Sequence, residues 1–101
     1  MRDAREVRAL MIEARAWAEN NPEAWAYIER RAMEEAGAQR RVSVSRLVEE
    51  VRALEWTPRD GGRFKVNNSY QAAFSRMLAE TLPEVRPYIE QRRSRFDGVA
   101  I

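Results

Sequence analysis

The chain has 101 residues, no cysteine and no histidine, with 45% hydrophobic and 34% charged residues and a formal net charge of +2. That length allows one domain with one modest core, and the apolar fraction is too high for a disordered chain. Disulfides, thiolate metal sites and catalysis built on cysteine or histidine are excluded, and a zinc site would need carboxylates alone, which is rare.

No cofactor or metal is therefore expected. No apolar run approaches the roughly 20 residues of a transmembrane helix. The opening MRDAREVRALMIEARAW is charged throughout, unlike a signal peptide. A cytoplasmic protein is the expectation. The charge is uneven: residues 1–36 carry six arginines against eight acids, a net −2, and residues 37–101 carry twelve cations against eight acids, a net +4. A basic half can follow a phosphate backbone. A solvated arginine-rich surface explains the same count.

Asp3 and Glu6 have the spacing of a capping box. Val7, Leu10, Met11, Ala14, Trp17 and Ala18 then recur at helical intervals, which predicts an amphipathic helix over about 4–19. Asn21-Pro22-Glu23 stops it and starts a second helix: Asn21 can cap, Pro22 suits the first helical position, and Glu23 favours the positive end of the dipole. That helix should reach about Ala36, with Trp25, Ile28, Ala32 and Glu35–Ala36 inward and Gly37 as its C-terminal cap.

After the basic link Ala38–Arg41, Ser43 caps a third helix with a stripe of Val44, Leu47, Val48, Val51 and Leu54. Trp56 should cover the core, and Thr57–Gly62 reads as an exposed loop. Arg63-Phe64-Lys65-Val66 alternates polar and apolar residues, as a short strand or an extended segment does. Asn67 or Asn68 caps a fourth helix whose inner face is Tyr70, Ala73, Phe74, Met77, Leu78 and Leu82. A last short helix is predicted from Glu84 to about Arg93, with 98–101 frayed. The expected fold is one all-α domain over 1–101, a compact bundle of four to five helices with at most a minor extended segment.

Several of these features run in one order along residues 20–95. Asn21-Pro22 opens the second helix. The pattern S-x-x-x-L-x-E-x-x-R follows as Ser43, Leu47, Glu49 and Arg52, and F-K-x-N-N-x-Y as Phe64, Lys65, Asn67, Asn68 and Tyr70. The ending P-x-x-x-x-Y-x-E-x-R is Pro83, Tyr88, Glu90 and Arg92. In this the chain resembles a family of small phage- and prophage-encoded proteins. The resemblance implies a mobile-element origin and a bacterial cytoplasm as the place of action. It brings no established activity and no site residue. The stretch between Trp56 and Phe64 departs from it in being shorter and more polar.

Helices 3 and 4 can form a helix-turn-helix variant in which helix 4 reads DNA. The first residues of such a helix meet base edges while flanking cations hold phosphates. Asn67, Asn68, Ser69 and Gln71 are suitable readers, since Asn and Gln pair bidentately with adenine. Arg40, Arg41, Arg63, Lys65 and Arg76 are the backbone-gripping candidates, and loss of Arg41 or Lys65 should weaken binding to every sequence. The connection from Leu54 to Asn67 is long for an ordinary turn. Capping and turn closure explain the asparagines equally well. Adjacent glutamates in Glu34-Glu35 and Glu49-Glu50 point about 100° apart on a helix, so neither doublet aims both groups at one site and no enzyme is expected. Arg92-Arg93-Ser94-Arg95 suits phosphate or simply a helix C-terminus.

The expected function is thus a regulatory module that docks the N-terminus of helix 4 on DNA. The alternative is a non-enzymatic inhibitor that binds a host protein, such as a CRISPR-type defence nuclease complex. Its signature would be an exposed aromatic patch drawn from Trp25, Tyr27, Trp56 and Tyr88. The split charge also permits a homodimer.

Overall fold

A computed structural model describes residues 4–89. The capping residue Asp3, the basic Arg92–Arg95 run and the tail at 98–101 lie outside the described residues. Four α-helices are present among them: α1 (Ala4–Asn20), α2 (Pro22–Gly37), α3 (Val44–Arg52) and α4 (Gln71–Thr81). No strand forms there; the one sheet-like feature is an isolated parallel bridge between Val42 and Ile89. The all-α expectation is met. No helix among the described residues is long and apolar enough to cross a membrane.

The predicted stripes are the buried faces. Val7, Leu10, Met11, Ala14 and Ala18 of α1 meet Ala24, Ile28 and Ala32 of α2, Leu47, Val48 and Val51 of α3, and Ala73, Phe74 and Leu78 of α4 in one cluster. Each large apolar side chain so buried contributes about 1.5–3 kcal/mol relative to exposure. Phe74, fully buried, is the hub. Its ring centroid lies 5.2 Å from Trp17, 5.2 Å from Trp25 and 5.9 Å from Tyr70.

Several boundaries differ from expectation. Asn21 does not cap α2 with its side chain; its Nδ2 instead donates to the Trp17 carbonyl oxygen at 3.0 Å. The residue that turns the chain after α2 is Gln39 (φ 58°), not Gly37. Gln39 N–H donates to Ala36 O at 2.9 Å and Arg40 N–H to Glu35 O at 2.8 Å, the paired bonds of a Schellman cap. Ser43 does cap α3, its Oγ accepting from Arg46 N–H at 3.3 Å. That helix ends at Arg52, so Leu54 leaves the core stripe and is 46% exposed.

After α4, residues Arg86–Tyr88 form a 3-10 turn rather than the start of an α-helix. Pro87 stands inside that turn, and a proline in helical interiors removes a hydrogen bond and clashes with the preceding turn. The chain then runs extended into Ile89, where Tyr88 O accepts from Val42 N–H at 2.8 Å.

Candidate nucleic-acid interface

The stretch 53–67 links α3 to α4 and is fastened at many points. Trp56 Nε1 donates to Val51 O at 2.8 Å. Arg59 N–H donates to Asn20 O at 2.6 Å, and Asp60 N–H to Asn20 Oδ1 at 3.0 Å, which ties the loop to the α1–α2 corner. Asp60 Oδ1 accepts from Gly62 N–H at 2.8 Å, closing a tight turn in which Gly61 has φ +76°. That conformation carries a steric penalty for any side chain with a Cβ.

Arg63–Val66 belongs to no helix and pairs with no strand. Phe64 and Val66 are half-buried against the core, with Phe64 6.0 Å from Trp17 and 6.4 Å from Trp56 between ring centroids. The backbone is held from two sides. Trp17 Nε1 donates to Lys65 O at 2.8 Å, and Arg52 Nη2 donates to Val66 O at 2.9 Å. Alternation then leaves Arg63 and Lys65 exposed.

The proposed base readers have structural duties. Asn67 Oδ1 accepts from Ser69 N–H at 2.8 Å and caps the 3-10 turn Asn68–Tyr70 that leads into α4. Asn68 Oδ1 accepts from the Arg52 guanidinium, so neither asparagine amide oxygen is spare. Ser69 is half-buried, and this turn packs on α1. Gln71 is also half-buried and lines a cleft beside the start of α3. Helices α3 and α4 are thus joined by a long, pinned connection, and the N-terminal turn of α4 is packed against the domain.

The cations divide in the same way. Arg40 and Arg41 are both exposed, and Arg40 Nε donates to Glu35 Oε2 at 2.7 Å. Arg76 is half-buried, its Nε 3.5 Å from Glu80 Oε1. Arg40 and Arg41 precede the first turn of α3, whereas Val66 and Asn68 are held from its last turn. The two groups therefore stand apart by the length of that helix, roughly 13 Å. The exposed cations of the fastened segment are Arg63 and Lys65, with Arg59 exposed on the loop before it.

A second polar cluster joins α2 to α3. Arg31 Nε donates to Glu50 Oε1 at 3.0 Å, its Nη2 to Glu35 Oε1 at 3.0 Å and its Nη1 to Glu34 Oε1 at 3.0 Å. Tyr27 Oη donates to Glu50 Oε1 at 2.9 Å. Hydrogen bonds from Arg40 and then Arg31 hold the Glu35 carboxyl down to about 2, and Arg31 chiefly lowers that of Glu50. Glu50 in turn raises the Tyr27 hydroxyl. One member of each glutamate doublet thus meets the other across two helices. Adjacent spacing carries no sign of that, because it depends on how α2 and α3 align. Both carboxylates are charged and tied to guanidinium groups, an arrangement suited to fastening helices.

Trp25, Tyr27, Trp56 and Tyr88 all pack against the core and are half-buried. The large exposed hydrophobic side chains among the described residues are Ile12, Met33 and Leu54. No protein-family model, curated protein or solved structure matches the chain.

Proposed function

We propose that this protein is a nucleic-acid-binding regulatory module of phage or mobile-element origin, acting in a bacterial cytoplasm through phosphate contacts. The observation that carries the proposal is the pair Arg63 and Lys65, exposed side by side on backbone fixed by Trp17 and Arg52. Neither makes an ion pair with a described carboxylate, whereas Arg15, Arg31, Arg40, Arg46, Arg52 and Arg76 all do. Rigid presentation reduces the side-chain and loop ordering that binding otherwise requires. Such contacts position a backbone and carry no sequence information by themselves.

This reading moves the contact surface away from the asparagines at the start of α4, whose amide oxygens hold the fold together. An electrophoretic shift with mixed duplex and single-stranded DNA at about 50 mM salt tests it, a condition in which even non-specific phosphate contacts register. Binding by the intact chain, weakened in Arg63→Ala and Lys65→Ala on every sequence, is the expected result. No shift with either form of DNA would end the proposal.

A further inference from the structure

Helix α1 packs on α2, α4 and the 3-10 turn before α4 through its apolar stripe and leaves its opposite face to solvent. On that face Arg5, Ile12 and Glu19 follow one another at equal intervals of two helical turns, so they fall on nearly one line along the helix. At 1.5 Å per residue that line is about 21 Å long. All three residues are exposed, and Ile12, at 70%, is the most exposed large hydrophobic side chain among the described residues. Ala9 and Ala16 are exposed on either side of it.

A single exposed isoleucine is ordinary on a protein surface. Ile12 differs in the symmetry of what surrounds it, since it stands midway between a cation and an anion. Neither Arg5 nor Glu19 has an ion-pair partner among the described residues, whereas Arg15 is paired with Glu80 at 3.1 Å.

We propose that this face receives the same face of a second copy of the chain, with the two α1 helices antiparallel and a two-fold axis passing at Ile12. Counting outward from the axis gives the register. Ile12 meets Ile12 of the second copy, and Arg5 of each copy meets Glu19 of the other. Arg8 falls opposite Ala16 and Ala9 opposite Arg15, so no like charges are brought together. A parallel pairing would set Arg5 against Arg5 and Glu19 against Glu19, which repel. The complementarity lies within one helix rather than between the two halves of the chain, and it is of the isologous kind found in two-fold dimers.

Ala9 and Ala16 leave room for the close helix approach that ridge-and-groove packing needs. The contact is nonetheless small. One pair of such helices falls short of the roughly 1,600 Å² of a standard interface, and ion pairs at its rim fix orientation more than strength. The dimer is therefore weak and depends on concentration. Because Trp17 of the same helix holds Lys65, the pairing also joins two Arg63–Lys65 segments in one particle.

Sedimentation equilibrium of the intact chain from about 10 μM to about 1 mM, a span that covers weak association, tests the pairing. The mean mass should rise from 11.8 kDa toward twice that value. Ile12→Arg, which sets like charges on the axis, should hold the chain at the monomer mass throughout. Arg5→Glu alone and Glu19→Arg alone should each weaken association about tenfold, since either change turns two opposite-charge contacts into like-charge ones. The two together should restore the parent's association. All three sites are exposed, and helical circular dichroism equal to the parent's shows that each variant is folded.

A monomer at every concentration overturns the inference. A dimer that survives Ile12→Arg overturns it as well, because the contact would then lie on another face. So does a double charge exchange that fails to recover what the single exchanges lose. No DNA is present in these measurements, so their outcome is separate from that of the phosphate reading.

Discussion

The indole nitrogen of Trp17, near the end of α1, donates to the backbone carbonyl oxygen of Lys65 at 2.8 Å. One side chain of the first helix therefore fixes the backbone from which the one lysine of the chain projects. The same indole ring packs against Phe64 and Phe74, so the contact is continuous with the core.

Trp17→Phe keeps an aromatic ring in place and removes the donor. A net loss of about 1–2 kcal/mol is expected, combining one hydrogen bond of about 1 kcal/mol with reduced apolar contact. Urea unfolding measures the loss. Hydrogen exchange should show faster opening near Phe64–Val66 with α2 unaffected. A variant as stable and as protected as the parent would show that the Trp17–Lys65 contact does not hold the segment.

The end of α2 is open to improvement. Gln39 occupies the left-handed conformation that favours glycine, while Gly37 lies within the helix and a Cβ added there meets nothing within 4 Å. Gln39→Gly and Gly37→Ala should each stabilise the protein by about 0.5–1 kcal/mol. In a domain of this size each should raise Tm by several degrees, roughly 4–8 °C per kcal/mol. The reverse change at residue 39, Gln39→Val, should lower it.

Stability should fall in acid through the Arg31–Glu35–Glu50–Arg40 cluster. Glu35 is held at about 2, below its ordinary 4.5, so its ionised form favours the folded state. Its contribution is complete above pH 4.5 and is lost as the pH falls toward 2. Glu50, lowered chiefly by Arg31, acts in the same direction. Unfolding midpoints from pH 6 to pH 2 should decline, and Glu35→Gln should flatten that decline while lowering stability at pH 6. A slope in Glu35→Gln as steep as that of the parent would remove this carboxyl from the account.

Phe74→Ala should cost about 3–5 kcal/mol, because a cavity would open between Trp17, Trp25 and Tyr70. That is a large part of the 5–15 kcal/mol typical of a folded domain. Calorimetry should show a broad or absent transition. A loss below about 1 kcal/mol would mean that this ring is not the hub of the core.

Periodicity made the buried faces of α1, α2 and α4 legible, because residues such as Val7, Ile28 and Phe74 recur at helical spacing and burial follows that face. The same signal misplaced Leu54, three residues beyond Val51 on the same stripe. Its N–H still bonds Val51 O at 3.1 Å, but the helix has ended two residues earlier. Asn21-Pro22 marked the start of α2 and Asn67 that of the 3-10 turn leading into α4. Pro83 and Pro87 opened no α-helix among the described residues. The form of each cap was local chemistry that spacing does not specify. Asn67 caps; Asn68, an equal candidate by type, serves Arg52 instead.

The candidate interface was legible only in part. Arg63 and Lys65 follow from alternation around Phe64 and Val66. That Trp17 and Arg52 hold their backbone, and that Glu35 meets Glu50 through Arg31, depends on contacts between elements far apart in sequence. No local pattern encodes those.

The most direct test of the phosphate-contact account is the salt dependence of DNA affinity in the parent and in the double variant Arg63→Ala, Lys65→Ala. Anisotropy of a labelled duplex, measured between about 50 and 200 mM salt, gives the slope of log affinity against log salt. Each lost phosphate contact should reduce the magnitude of that slope by about 0.9, so the double variant should fall short of the parent by roughly 1.8. An unchanged slope in a variant that remains folded would contradict the account.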